Sequence, residues 1–186
     1  MGAKTWFIAD THIGHANIIE YERRPFRDVR EMDLDIQDSI SSKVEDAQDN
    51  RRGPVTLYHL GDVSFYPDAA ICRSILRYAR SQARLVLVRG NHDNFPKALD
   101  LGFDIVAESM VIRRKHVGRV LLTHKPVPRE SWPEGVQLNI HGHHHSGQPR
   151  VAQPDRGVRP MHESKHHVCV SVERTDYKPV GWGWII

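Results

Sequence analysis

Five short apolar runs of this 186-residue chain are each followed by residues of the types that can bind metals. The runs cover residues 4–9, 55–60, 85–88, 120–122 and 138–140. Continuous apolar runs of this length are typical of strands that are buried on both faces. Because α/β folds usually place their sites at strand ends, we expect the polar residues after these runs to gather at one edge of a sheet.

The polar patches that follow the runs are D-T-H at 10–12, G-D at 61–62, G-N-H-D at 90–93, T-H at 123–124 and H-G-H-H-H at 141–145. Side chains two residues apart in an extended strand share a face. We therefore expect Asp10 and His12 to hold one ion. By the same spacing, His143 and His145 should reach two neighbouring ions, while His144 points away.

Three further residues join the candidate site, besides His124 of the T-H patch. Asp62 has two carboxylate oxygens and could bridge two cations. Asn91 offers a neutral amide oxygen to a metal, whereas His92 is expected to face the substrate instead. Carboxylate, amide and imidazole ligands together suit Mn²⁺, Fe, Zn²⁺, Co²⁺ or Ni²⁺, and we favour Mn²⁺.

Two amphipathic segments separate the early runs. The sequence D-V-R-E at 28–31 is typical of a capping box, and apolar residues then recur at helical spacing, which predicts a helix to about Asp46. A second helix is expected after Asp68, with a buried stripe at Ile71, Cys72, Ile75, Leu76 and Ala79. This β-α-β-α-β order predicts a parallel first sheet.

The later half of the chain has little helical pattern between its apolar runs. Short strands at 109–114, 119–122, 137–140 and 168–172 predict a second, more antiparallel sheet packed on the first. Residues 149–160 are polar and rich in Pro, Gly and Arg, which is typical of a surface loop. The end of the chain, residues 178–186, is too apolar for a free tail and is expected to dock on the core.

Composition limits the class of protein. A net charge of +3 suits an anionic substrate, but the chain lacks the dense basic stripe of a dedicated nucleic-acid binder. No apolar run approaches the roughly 18 residues of a membrane span, and the first residues lack the apolar core of a secretory signal. Cys72 and Cys169 share no metal-ligand spacing. We expect one cytoplasmic domain over residues 1–186, and the oligomeric state stays open.

The order D-x-H, G-D, G-N-H-D, H and G-H-x-H resembles that of the calcineurin-like metallophosphoesterases. The stretch A-D-T-H-I-G-H-A-N-I-I at 9–19, with R-P-F at 24–26, is similar to a small single-domain bacterial and phage branch of predicted phosphoesterases. The resemblance implies an α/β fold, a four-layer α-β-β-α sandwich with two mixed sheets, and a dinuclear metal site at the strand ends.

The resemblance also implies a role for each site residue. The first metal would be held by Asp10, His12, Asp62 and His145, and the second by Asp62, Asn91, His124 and His143. Asp62 would bridge the two ions, and His92 would be the catalytic histidine that binds neither.

The chain departs from the family pattern at Phe65. Many members carry an acidic residue there, three positions after the bridging aspartate, where it orients the catalytic histidine. Asp93 could take that role, and the departure weakens the case for a protein phosphatase. His15 and Asn17 could line the pocket behind the ligands or contact substrate, or they could be an ordinary polar pair at a helix start.

The expected activity is dinuclear-metal-dependent hydrolysis of a phosphoester, by in-line attack of a metal-bridging hydroxide. We favour a phosphodiesterase acting on a nucleotide or a similar small phosphoester. The alternatives are a nuclease acting on nucleic-acid ends or short oligonucleotides, a phosphomonoesterase, and a non-catalytic metal-binding scaffold. Arg23, Arg24 and Arg27 could bind a polyanionic substrate or form a solvated basic loop.

Overall fold

The computed structural model describes residues 4–49, 55–64, 76, 79, 81–93, 102–147 and 166–186. Side chains are described only to residue 45 in the first of these ranges. The strands and helices, in chain order, are β1 Lys4–Ile8, α1 Ala16–Tyr21, α2 Val29–Asp49, β2 Val55–His59, β3 Arg84–Val88, β4 Ile105–Ala107, β5 Ser109–Arg114, β6 Gly118–Thr123, β7 Val136–His141, β8 His167–Cys169, β9 Val180–Gly181 and α3 Trp182–Ile185. Two 3-10 turns lie at Arg129–Ser131 and Val172–Arg174.

Two mixed sheets form the centre of the fold, as predicted. In the first sheet, of order β4-β3-β2-β1-β9, the strands β1 to β4 run parallel and β9 pairs antiparallel with β1. In the second sheet, of order β5-β6-β7-β8, only β5 and β6 are antiparallel. The β6–β7 and β7–β8 pairs are parallel. The second sheet, expected to be more antiparallel than the first, thus has one antiparallel pair of three, against one of four in the first sheet.

A long loop explains the parallel β6–β7 pair. Parallel neighbours need a crossover of a dozen or more residues, usually a helix, but here residues 124–135 make the connection with only a 3-10 turn. Two side chains fix this loop. The buried Asn139 of β7 accepts a hydrogen bond from Val127 N at 3.1 Å, and Trp132 Nε1 donates to Val127 O at 2.7 Å.

The apolar residues of the strands divide into two cores. Ile8, Leu57, Leu85 and Leu87 face outward from the first sheet and pack under α2, together with Leu76 and Ala79. The opposite faces of the first sheet's strands pack against the second sheet through Phe7, Leu60, Val88, Val120, Leu122, Leu138 and Ile140. The result is the predicted α/β sandwich. The other residues of the second predicted helix's apolar stripe lie outside the described part of the chain.

Helix α2 begins close to its predicted capping box. Asp28 Oδ1 accepts a hydrogen bond from Glu31 N at 2.9 Å, as an N-cap does. The Glu31 carboxylate accepts from Arg27 N rather than from Asp28 N, so only half of the box forms. The helix continues to Asp49, three residues beyond the expected end.

The C-terminal residues dock on the core, as predicted. Strand β9 covers the free edge of β1, and the buried Trp182 packs edge-on against Phe7 with ring centroids 5.0 Å apart. The expected surface loop at 149–160 lies outside the described residues, and the single domain over 1–186 stays a prediction. No described helix is both long enough and apolar enough to cross a membrane.

His59 is a buried histidine whose charge we expect to govern acid stability. Its Nε2 donates to Thr11 Oγ1 at 2.9 Å, because the Thr11 hydroxyl already donates to Val63 O. Burial lowers the pKa of His59 from 6.5 to about 3. Between the unfolded pKa of 6.5 and the folded pKa of about 3, this histidine is protonated in the unfolded chain but neutral in the folded chain. The free energy of unfolding therefore has its full value above the unfolded pKa and decreases as the pH falls through this range.

We predict that His59→Gln flattens the pH dependence of the free energy of unfolding between about pH 4 and about pH 6, by about 1.4 kcal/mol per pH unit. The glutamine amide can still donate to Thr11. Urea unfolding of both proteins across this range is the measurement, with the exposed His116→Asn as the control. Parallel curves for wild type and His59→Gln would contradict the assignment.

Candidate metal centre

The backbone at the strand ends is strained. Nine non-glycine residues of the described chain have positive φ, and five of them are predicted metal ligands: Asp10, His12, Asp62, His143 and His145. A non-glycine residue in this region costs of order 1–3 kcal/mol and persists only where its surroundings enforce it. The residues after β1 and β7 are thus not extended. The prediction for these residues assumed that side chains alternate between the two faces of an extended strand. That alternation does not apply to Asp10 and His12, nor to His143 and His145.

Hydrogen bonds hold the two strained turns of the first sheet against each other. Residues 10–13 continue beside residues 61–63 through Asp10 N to Gly61 O, His12 N to Asp62 O and Ile13 N to Val63 O, at 2.9–3.0 Å. The buried Asp93 carboxylate accepts hydrogen bonds from the backbone N–H groups of Asp62, Val63 and Gly90 at 2.7–2.9 Å. Asp93 therefore positions the turn that carries Asp62.

The first ligand group consists of Asp10, His12 and His145. One ligand atom from each lies within 4.8 Å of the others. His145 Nε2 is 3.9 Å from Asp10 Oδ1, and His12 Nε2 is 3.7 Å from Asp62 Oδ2. All three side chains are buried. The structure thus brings together the residues assigned to the first metal, and Asp62 lies between this group and the next.

The second ligand group consists of Asp62, His124 and His143. His124 Nε2 lies 3.4 Å from Asp62 Oδ2, 3.2 Å from His143 Nδ1 and 3.1 Å from Asn91 Oδ1. Ligand atoms that each lie about 2.0–2.2 Å from one ion are about 3–3.6 Å apart. These three distances therefore fit atoms that share one ion.

The buried polar atoms of the first ligand group also fit a cation. Asp10 Oδ1 and both ring nitrogens of His12 are buried without a hydrogen-bond partner. Such atoms are costly unless something satisfies them. Burial, with the charge of His145 next, lowers the pKa of His12 well below its ordinary value. His12 is therefore a neutral imidazole, the form that binds metals.

Asp62 is held as an anion. Burial opposes its ionisation, but a hydrogen bond and the charge of His124 and the backbone N–H of His92 outweigh burial and hold the pKa of Asp62 well below its usual range. The backbone N–H of His92 donates to Asp62 Oδ1 at 2.9 Å. A permanently charged carboxylate between the two ligand groups suits a bridging role.

Sequence reasoning missed Ser171 and Glu173, which support the first ligand group from the C-terminal segment. Ser171 Oγ and His143 N donate to Asp10 Oδ2 at 2.7 and 2.9 Å, which leaves Asp10 Oδ1 for another partner. His145 Nδ1 bonds Glu173 Oε1 at 2.9 Å. No local pattern marks either residue, because their partners lie 161 and 28 residues away in the chain.

Arg24 is structural, and the solvated or substrate-binding role considered for it is wrong. Its side chain is completely buried. The guanidinium donates to Asp10 O at 2.7 Å, Thr11 O at 2.9 Å and Glu173 Oε1 at 2.6 Å. Glu22 joins His145 and Glu173 in a third cluster with metal-ligand spacing, but the Arg24 guanidinium already supplies a cation there.

Of the remaining predicted site residues, His92 and His15 lie beside the ligand groups. His92 lies at the edge, with its side chain 40% exposed and its Nε2 4.0 Å from Asp62 Oδ2. The His15 ring lies 5.6 Å from that of His12, whereas Asn17 is exposed on α1 and is not brought into the buried cluster. Phe65 lies outside the described residues.

Residues 3–147 match the calcineurin-like phosphoesterase family, and the chain belongs to this family. Its members are metal-dependent phosphoesterases that normally bind two divalent metals, and the two ligand groups are where this chain could hold them. Glu173 and Ser171 lie beyond the matched residues.

Two similar proteins cover nearly the whole chain. The uncharacterized protein MJ1445 of Methanocaldococcus jannaschii is 30% identical over 189 residues, which covers 98% of this chain and 89% of that protein. The crystal structure of AQ665, a protein of unknown function from Aquifex aeolicus, superposes with a TM-score of 0.70 and 28% identity over 99% of this chain and 98% of that chain. The nuclease MPE of Pseudomonas putida gives a TM-score of 0.44 at 19% identity over 78% of this chain and 66% of that one, too low to bear on function.

Gly90 gives a direct test of how tightly the backbone encloses Asp62. A Cβ atom at Gly90 would collide with Asp62 Oδ1 and with the Asp62 backbone N. We predict that Gly90→Ala displaces the Asp62 carboxylate and weakens metal binding by about tenfold or more, since misplacing a ligand costs on this scale. The measurement is calorimetric titration of metal-stripped protein with Mn²⁺.

Gly183→Ala is the matched control. A Cβ at Gly183 meets nothing within 4 Å, so this variant should bind Mn²⁺ as the wild type does. Equal affinities for Gly90→Ala and wild type would show that Asp62 is not held where the structure places it.

Proposed function

We propose that this protein is a dinuclear-metal-dependent phosphodiesterase that acts on a nucleotide or a similar small phosphoester. The observation that carries the proposal is the convergence of two ligand groups on one shared carboxylate, Asp62. His12 lies 3.7 Å and His124 lies 3.4 Å from the same oxygen, Asp62 Oδ2. The buried, unbonded Asp10 Oδ1 and His12 nitrogens support it further.

Asp10, His12, Asp62 and His145 would hold the first ion, and Asp62, Asn91, His124 and His143 the second. Two such ions supply Lewis-acid activation of water and neutralise the charge of the phosphoryl group. The two aspartates contribute about −2 against +4 from two divalent ions, so the site would stay cationic and attract phosphate. We favour Mn²⁺, with Fe, Zn²⁺, Co²⁺ or Ni²⁺ as alternatives, because the ligands are mixed oxygen and nitrogen donors.

His92 would act as the acid that protonates the leaving alkoxide. Its backbone N–H is tied to Asp62 Oδ1 at 2.9 Å, which keeps the residue beside the bridging carboxylate. Its side chain is 40% exposed, so a leaving group next to it can extend into solvent. That openness accommodates a large leaving group, such as a nucleoside, which a diester and a monoester can both carry.

An aromatic pair beside the site supports a nucleotide-like substrate. The His15 ring lies between His12, at 5.6 Å, and Tyr21, at 6.2 Å between ring centroids. Tyr21 is 46% exposed. A planar base could stack on such a face. Nucleic-acid ends would meet the same groups and are the alternative substrate.

We also propose that the enzyme works in the cytoplasm. Cys169 is a free, buried thiol. Proteins with few, unpaired cysteines are typical of reducing compartments.

His92 and the metals can be tested together with two chromogenic substrates. Metal-stripped protein resupplied with Mn²⁺ should hydrolyse bis-p-nitrophenyl phosphate faster than p-nitrophenyl phosphate. His92→Ala should lower kcat by about 10²–10⁴, the usual contribution of a general acid, while Mn²⁺ affinity is kept. Turnover of the monoester alone would overturn the diesterase assignment, and Mn²⁺ binding without turnover of any phosphoester would favour a scaffold.

Asp62 is tested by removing its charge. Asp62→Asn should abolish the binding of a second Mn²⁺ and turnover together, because a neutral amide cannot bridge two cations as a carboxylate does. Metal content and diester hydrolysis are the measurements, and Asp38→Asn, on the exposed side of α2, is the control. A fully active Asp62→Asn protein would rule out the bridging role.

A further inference from the structure

We propose that Glu173 is a positioning residue for the first ligand group, so that the affinity of one of the two metals depends on a segment outside the family-matched residues 3–147. The inference rests on the proposed two-metal function. In the first ligand group, a histidine ligand is hydrogen-bonded to a charged carboxylate behind it, whereas among the described residues the second group has no such partner.

The contact between Glu173 and His145 determines which nitrogen of His145 faces the site. The Glu173 side chain is 3% exposed, and its Oε1 lies 2.9 Å from His145 Nδ1. An ionised carboxylate only accepts hydrogen bonds, so Nδ1 must carry a hydrogen. Nε2 is then the only ring nitrogen that can turn a lone pair towards an ion, and it points towards Asp10 Oδ1 at 3.9 Å. A carboxylate behind a ligating histidine fixes its ring and makes it a stronger ligand.

The position of Glu173 is itself determined by buried contacts. Arg24 Nε and Nη2 donate to Glu173 Oε1 at 3.0 and 2.6 Å. The same guanidinium donates to Asp10 O and Thr11 O. Glu173 is thereby fixed relative to the turn that carries Asp10. Arg24 thus positions both candidate ligands, Asp10 through its backbone and His145 through Glu173.

The second ligand group lacks this charged support among the described residues. His124 Nδ1 donates to a backbone carbonyl, Leu60 O, at 2.9 Å. A neutral carbonyl orients the ring but polarises it less than a carboxylate does. The two ions should therefore respond differently when the charge of Glu173 is removed.

The test is Mn²⁺ titration of metal-stripped protein by calorimetry. Wild type should bind two ions. Glu173→Gln keeps an oxygen that can accept from His145 Nδ1 but loses the charge, and one binding step should weaken about 10- to 100-fold while the other stays within about twofold. In a His143→Ala background, which removes a ligand of the other group, Glu173→Gln should weaken the step that remains.

Two further variants separate positioning from loss of stability. Glu173→Asp keeps a charge beside Arg24 but is too short to maintain both contacts, so it should weaken the same step even where Glu173→Gln fails to fold. Asp104→Asn removes a carboxylate that accepts from Leu85 N at 2.7 Å at the far end of β3. It should leave both Mn²⁺ steps unchanged, whatever its effect on the Tm.

The outcomes distinguish this inference from the function on which it depends. Two unchanged steps in Glu173→Gln and Glu173→Asp would overturn the role of Glu173 and leave the two-metal function standing. Equal weakening of both steps would show general support of the fold and would also overturn it. Wild-type protein that binds fewer than two Mn²⁺ ions would overturn the proposed function, and this inference with it.

Discussion

The buried guanidinium of Arg24 joins the first strand end to the C-terminal 3-10 turn. It donates to the carbonyls of Asp10 and Thr11, and it forms an ion pair with Glu173. Burying a cation is favourable only when its partners satisfy it, and removal of one partner from such a pair costs about 3–5 kcal/mol. This interaction supports the left-handed turn at Asp10, because the guanidinium satisfies the backbone carbonyls of both Asp10 and Thr11.

The candidate centre is built from both sheets. Asp10, His12, Asp62 and Asn91 follow strands of the first sheet, whereas His124, His143 and His145 follow strands of the second. The apolar core between the sheets brings these strand ends together. Under the proposed function, each ion would join ligands from both sheets, so metal binding should also strengthen the contact between the sheets.

The strands and the residues of the candidate ligand groups were largely predictable, because a short stretch of sequence is enough to indicate each of them. Continuous apolar runs indicated β1, β2, β3, β6 and β7, and each ended in metal-binding residue types. The direction of β7 was not predictable from its own residues. It depends on a loop held by Asn139 and Trp132, whose hydrogen bonds leave no periodic pattern. Strand β4 was missed because its three residues are too few to show one.

The geometry and support of the site were less predictable. Asp10 and His12 meet through left-handed turns rather than through strand alternation, and positive φ at a non-glycine residue has no reliable sequence signature. Arg24, Ser171 and Glu173 act across long separations in the chain, so no spacing rule could connect them with their partners. Asp93 was considered as a partner for His92, whereas its carboxylate accepts from three backbone N–H groups.

The pairing of the first strand with residues from the end of the chain has a consequence for synthesis. Ala9 bonds Val170 and Val172 through its backbone, and Asp10 bonds Ser171, 161 residues later. On a ribosome, the residues around Asp10 emerge early, but these contacts can form only after residues 170–172 have left the exit tunnel. Until then the carboxylate of Asp10 lacks the hydroxyl that orients it. A nascent chain would therefore carry most of its candidate metal-binding side chains before it could arrange them.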